Sequence, residues 1–137
     1  MNTDFTAVNV YLIDDNEIMN FINQRLMTEC GSEIVVKTFL NGLEAIMQLN
    51  NKQEIPDFLF VDIEMPVMNG WEFLDMYTAK YAELCPDTQV YIVSSSVSPI
   101  DKAKAAKYPF VRDYLVKPIE GRIFCEILAR KSNTACG

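Results

Sequence analysis

The sequence contains no histidine. That excludes Ser-His-Asp and Cys-His catalysis, imidazole metal sites and imidazole pH switching. Any chemistry must run on carboxylates, hydroxyls, lysine and a bound ion. No apolar run approaches the roughly 18 residues that span a bilayer. The opening MNTDFTAVNV lacks the positive n-region and long apolar h-region of a signal peptide. The expected setting is therefore the cytoplasm, with no membrane partner. The four cysteines, Cys30, Cys85, Cys125 and Cys136, form no CxxC pair and have no imidazole to join them around zinc, so free thiols are expected. Basic residues are also short: 12 against 19 acidic, a net charge of −7, which makes a poor nucleic-acid binder. The deficit is uneven. Residues 1–99 hold 15 acidic and 4 basic residues, and residues 100–137 hold 4 acidic and 8 basic.

What is present is a regular alternation. A length of 137 residues suits one domain, with a core over about 8–131 and a tail, 132–137, expected to fray. Apolar, β-branched runs at 8–13, 34–39, 57–63, 89–95 and 111–116 read as strands. Between and after them lie helical patterns at 17–30, 41–51, 71–84, 98–108 and 119–131. The first carries Ile18, Phe21, Ile22 and Leu26 at helical spacing, and the fourth opens with Ser98 as N-cap and Pro99 in the first turn. No linker, repeat or low-complexity segment interrupts them. Near-continuous apolar strands alternating with helices imply a parallel sheet covered on both faces. Five such units fit the flavodoxin-like doubly wound α/β order 2-1-3-4-5, with right-handed crossovers and ligands beyond the carboxyl ends of the strands.

The chemistry-bearing residues fall at those ends. Asp14 and Asp15 follow strand 1, Asp62 ends strand 3, Ser94 ends strand 4, and Lys117 ends strand 5 before Pro118. Neighbouring strands are about 4.8 Å apart, so the acids of strands 1 and 3 converge. Lys117, roughly 10 Å away by the same spacing, can lean its long stem inward. Two adjacent carboxylates at a strand end repel unless they cap a helix or meet a cation. With Asp62 and Lys117 in register, the cation is the better reading. An all-oxygen set favours Mg²⁺ or a similar hard ion such as Mn²⁺. A carboxylate nucleophile beside a metal, a hydroxyl and an ammonium suits phosphoryl transfer onto Asp62.

The pieces IDD, DIEMPVMNGWEFL, VSS and DYLVKP, in this order and spacing, resemble the receiver domains of two-component response regulators over essentially the whole chain. The resemblance implies Asp62 as phosphoacceptor. It implies Mg²⁺ on Asp15 and Asp62, on Asp14 mostly through water, and on the backbone carbonyl of Glu64. Ser94 and Lys117 would stabilise the phosphoryl group, Ser94 and Tyr114 would switch, and Glu64 and Ser96 would tune its lifetime. The Lys117–Pro118 bond is expected to be cis. A sensor histidine kinase or histidine phosphotransfer protein would supply the phosphoryl group. The protein would catalyse only its own phosphorylation and dephosphorylation. A stand-alone receiver would signal to a downstream protein by contact, through helix 4, strand 5 and helix 5, where Lys102, Lys104, Lys107 and Arg122 lie. The same face could form a homodimer on phosphorylation. Two other roles stay open: an intermediate carrier in a phosphorelay, or a protein-binding module that is not phosphorylated. A flavodoxin would share the fold, but DDNEI places acids where a flavin phosphate would sit. A haloacid-dehalogenase-type hydrolase would carry Asp-x-Asp after its first strand.

Overall fold

The computed structural model describes residues 7–51, 55–82 and 87–131. Strands β1 (Val8–Ile13), β2 (Ile34–Phe39), β3 (Phe58–Asp62), β4 (Gln89–Ser94) and β5 (Val111–Val116) form one sheet in the order β2-β1-β3-β4-β5. Every pairing is parallel. Helices α1 (Glu17–Thr28), α2 (Gly42–Asn50), α3 (Gly70–Lys80), α4 (Pro99–Ala105) and α5 (Gly121–Leu128) connect or follow the strands. The alternation and strand order agree with the sequence reading. Several helices are shorter than their apolar patterns, because their last turns bend into C-terminal caps.

Period-two alternation explains the two cores. Tyr11, Ile13, Leu59, Val61, Val90 and Ile92 enter one cluster, with Phe73, Leu74 and Tyr77 of α3. Val10, Leu12, Phe58, Phe60, Tyr91 and Val93 enter the other, with Met27 of α1 and Phe124, Ile127 and Leu128 of α5. Central strands β3 and β4 are buried throughout, whereas β2 and β5 are edges and partly exposed. Phe124 stands edge-on to Phe60 at 5.6 Å between ring centroids and seats α5 on the sheet. Burying one such side chain contributes about 1.5–3 kcal/mol.

Asparagines start three of the helices. Asn16 accepts from Met19 N, Asn41 from Glu44 N, and Asn69 from Glu72 N, while Asn69 N donates to Glu72 Oε1. Ser98 caps α4 as expected.

One helix turns polar residues inward, and one expectation is corrected. Helix α1 forms as its spacing implies, with Ile18, Phe21 and Ile22 exposed, Leu26 partly buried against the core, and Asn20, Asn23 and Met27 buried. Asn20 turns inward because its Nδ2 donates to the Asp14 carbonyl at 2.8 Å, which fixes the helix's rotation. The thiols at 30 and 125 are not free; Cys30 and Cys125 are joined in a disulfide with Cα atoms 5.3 Å apart. The packing of α1 on α5 brings these two together across 95 residues of sequence, a proximity that motif spacing cannot reveal. In the chain-entropy account, closing so long a loop stabilises by about 4–5 kcal/mol. Cys85, Cys136 and the tail 132–137 lie outside the described residues.

Candidate functional site

The carboxyl ends of the strands converge as anticipated. Asp14, Asp15 and Asp62 each present an oxygen within 4.8 Å of the others. Asp14 and Asp62 are buried, and Asp15 is exposed. Octahedral Mg²⁺ at about 2.1 Å spans roughly 4.2 Å between opposite oxygens, so the three acids fit the ion if one binds through water. These are the residues that could hold it.

Lys117 reaches in from the end of β5. Its Nζ lies 2.8 Å from Asp14 Oδ2 and 3.4 Å from Asp62 Oδ1. The ammonium thus bridges the two buried carboxylates. Its backbone N–H donates to the Ser94 carbonyl at 2.9 Å, which ties the lysine to the end of β4. The Lys117–Pro118 peptide is cis, in line with the expectation.

Electrostatics single out Asp62. Burial, then the adjacent Asp14 charge, push its carboxyl up to about 6, against the opposing pull of Lys117. Burial alone would depress the Lys117 ammonium. Its hydrogen bond to Asp14 and the charges of Asp62 and Asp14 outweigh that and hold it above its ordinary value. Two buried acids thus share one cation, and the pocket is short of positive charge.

Gly70 explains how α3 approaches so closely. A Cβ there would lie 2.4 Å from the Asp62 carbonyl oxygen, and the Gly70 N–H donates to the Ile63 carbonyl at 2.8 Å. The intervening loop holds Val67 at φ 69°, a left-handed conformation that a β-branched residue rarely adopts.

A cleft of about 380 Å³ opens beside Asp62, and its walls include Glu64, Trp71, Ser94, Ser96 and Asp101. Ser94 is buried, and its Oγ accepts from Ser96 N at 3.0 Å. Ser96 Oγ donates to Asp101 Oδ2 at 2.6 Å. Tyr114 is half-buried, and its hydroxyl donates to the Ser96 carbonyl at 2.9 Å. The loop after β4 therefore joins Ser94, Ser96 and Tyr114 in one network. The side chain of Glu64 is exposed at the cleft's rim.

Sequence reasoning missed three contributors. Asn20 braces the Asp14 backbone, and no sequence signal marks it, because periodicity does not say which side of α1 faces inward. Asp101 anchors Ser96. Trp71 stacks on Tyr108 at 6.0 Å, with Lys104 Nζ 4.7 Å over the indole, and the Tyr108 hydroxyl donates to Asp75. Lys104 is thus held against α3. Arg122 is flanked by Glu120 and Glu126, while Lys102 and Lys107 are exposed.

Fold and site together define a flavodoxin-like α/β protein with an acidic, lysine-bridged pocket at the strand ends. The chain belongs to the response regulator receiver domain family, whose model matches residues 10–129. It is 30% identical over 121 residues to the sensor histidine kinase CheAY of Helicobacter pylori, covering 88% of this chain and 14% of that protein. Against the DNA-binding transcriptional regulator NtrC of Escherichia coli it is 30% identical over 111 residues, 81% of this chain and 22% of that protein. The chain therefore spans only a fraction of these relatives. A two-component response regulator from Cytophaga hutchinsonii superposes with a TM-score of 0.79 at 28% identity, covering 91% of this chain and 98% of that one. The chemotaxis response regulator CheY4 of Vibrio cholerae gives 0.74 at 22% identity, with 90% and 98% covered, and shows the fold alone. Among the described residues, no helix is long and apolar enough to cross a membrane.

Proposed function

We propose that the chain is a phosphorylated receiver whose acceptor is Asp62. The observation that carries the reading is the buried Asp62 carboxylate, bridged to Asp14 by Lys117 and clustered with Asp14 and Asp15. The donor, as in the receiver family this chain belongs to, is a phosphohistidine on a sensor histidine kinase or a histidine phosphotransfer protein. An Asp62 oxygen attacks phosphorus, the P–N bond breaks, and the imidazole leaves. Mg²⁺ (or Mn²⁺), held by Asp14, Asp15, Asp62 and the Glu64 carbonyl, would supply the positive charge that the pocket lacks. Lys117 moves its contact from the carboxylates to a phosphoryl oxygen, and Ser94 donates a hydrogen bond to another.

Movement of Ser94 pulls on the loop that holds Ser96 and the Tyr114 hydroxyl, and so reaches β5. The face of α4, β5 and α5 is then the output surface, which meets a downstream protein or a second copy of the chain. Lys102, Lys107 and Arg112 are exposed cations on it, and Lys104 lies there over Trp71. The natural setting is the cytoplasm. The chain catalyses only its own phosphorylation and dephosphorylation. Two other roles use the same pocket or none of its chemistry: a relay intermediate that passes the group on, and an unphosphorylated protein-binding module.

Incubation with a small phosphodonor and Mg²⁺ tests the acceptor. A mass gain of one phosphoryl group in a base-labile bond at Asp62 is the expected result. No gain, or a gain that survives Asp62→Asn, defeats the reading.

A further inference from the structure

The receiver chemistry makes no use of Cys30 and Cys125, yet their position is not neutral. α1 begins directly after Asp14 and Asp15, and α5 begins four residues after Lys117. The two helices run together away from the pocket. Gly121 packs on Leu26, close enough that a Cβ would lie 3.3 Å from Leu26 Cδ2. Four residues further on, Cys125 of α5 meets Cys30 just past the end of α1. The Lys117–Asp14 ion pair closes the near end of this frame at 2.8 Å, and the disulfide closes the far end. Cys125 lies on the exposed side of α5, and Cys30 is half-buried after α1. An external reagent can therefore reach the bond from the Cys125 side.

We propose that Cys30 and Cys125 are a reversible redox-modification site that takes a low-molecular-weight disulfide of the glutathione class as oxidant, and whose closure locks α5 against α1. This rests on the receiver reading for its consequence at the pocket, but not for the redox step itself. In that step the Cys125 thiolate attacks one sulfur of the oxidant. A mixed disulfide forms and one thiol leaves. The Cys30 thiolate then attacks Cys125 Sγ, the intramolecular bond forms, and the second thiol departs. Two electrons pass from the pair to the oxidant, and the two cysteine protons end on the two released thiols. A dithiol reverses both exchanges.

Closure affects the pocket through Lys117. The ammonium sits on the carboxylates that a metal would use, so a frame that holds it there competes with the cation. Oxidation is expected to weaken Mg²⁺ binding, and reduction to relieve it. By reciprocity, saturating Mg²⁺ must shift the redox midpoint toward the thiols by the same factor.

The test uses the full chain in glutathione buffers, with differential alkylation read peptide by peptide so that Cys85 and Cys136 are followed separately. The pair should pass from mostly thiol to mostly disulfide over about a hundredfold change in [GSH]²/[GSSG]. Amide exchange across 121–128 should slow about tenfold on oxidation, and Mg²⁺ affinity should fall at least threefold. Cys125→Ser should behave as the reduced chain in every buffer. Alkylation of both thiols throughout the range overturns the proposal. A bond that forms but leaves α5 exchange and Mg²⁺ affinity unchanged also overturns it. A pair that titrates and protects α5 in a chain binding no Mg²⁺ in either state supports the redox site and overturns the receiver reading instead.

Discussion

The pocket has an inner and an outer half, and they are built differently. Asp14, Asp62 and Ser94 are 4%, 6% and 3% exposed, each at the end of a strand whose other residues form the core. Asp15 and Glu64 are exposed and belong to loops. Inner residues are thus placed by the same packing that holds the fold, and the ionisation of buried Asp62 is coupled to stability. Outer residues can change charge at little cost to folding. Substitutions in the inner half should therefore alter both chemistry and stability, while those in the outer half should alter chemistry alone.

Asp62→Asn gives the largest contrast. Phosphoryl uptake from a small donor should fall below detection, since no other carboxylate occupies its place. Stability should move the other way. The Asp62 carboxyl ionises at about 6 in the folded chain against 3.8 as a free side chain. The folded state therefore binds more protons between those values, and stability falls as pH rises through that window. The interval corresponds to about 3 kcal/mol, fully lost above pH 6 in chelator-treated protein. The asparagine side chain cannot ionise, so the variant should be the more stable at pH 7 without metal, with the advantage vanishing near pH 4. Urea melts at the two pH values measure it. A native chain whose stability rises between pH 4 and 6 from this group would show that Asp62 is not destabilised by burial.

Lys117→Met comes next. It removes the cation shared by Asp14 and Asp62. Phosphorylation by a small donor should slow about 10²-fold, the usual cost of one preorganised charge-stabilising donor. Mg²⁺ binding should tighten, because the competing ammonium is gone. Slower transfer with weaker metal binding would mean that Lys117 organises the acids rather than competing for them.

The inner half was legible in the sequence and the supporting structure was not, for one physical reason. Asp14, Asp62, Ser94 and Lys117 terminate apolar runs, so the strand pattern and the doubly wound order bring them together. The disulfide depends instead on how α1 lies on α5, which strand order leaves open. The rotation of α1 was not legible either, because hydrophobic period identifies a helix but not its inward side. Ile18, Phe21 and Ile22 face out while Asn20 faces in to brace Asp14. Lys104, placed by sequence only on the outer face of helix 4, lies over Trp71, a contact between residues 33 apart that spacing does not reveal.

The loop between the two halves offers a smaller test. Val67 at φ 69° is strained, since a left-handed conformation costs an ordinary residue about 1–2 kcal/mol. Asparagine tolerates that region, and Val67 is 74% exposed, so no packing is lost. Val67→Asn should raise the thermal midpoint by about 3–5 °C and leave phosphorylation unchanged.

The outer half should show the smallest effect. Glu64 stands exposed at the rim of the cleft, where, on the proposed reading, its carboxylate would repel a phosphoryl dianion on Asp62. Solvent screens that repulsion, so its influence on the acyl phosphate is modest. Glu64→Gln keeps the shape and removes the charge. The phosphorylated form should then lose its phosphoryl group about two- to threefold more slowly, with the difference shrinking as salt is added and the urea midpoint unmoved. Equal decay rates at low salt would show that the rim charge does not reach the phosphoryl group. A shifted urea midpoint would break the comparison itself, because an outer residue would then be carrying part of the fold.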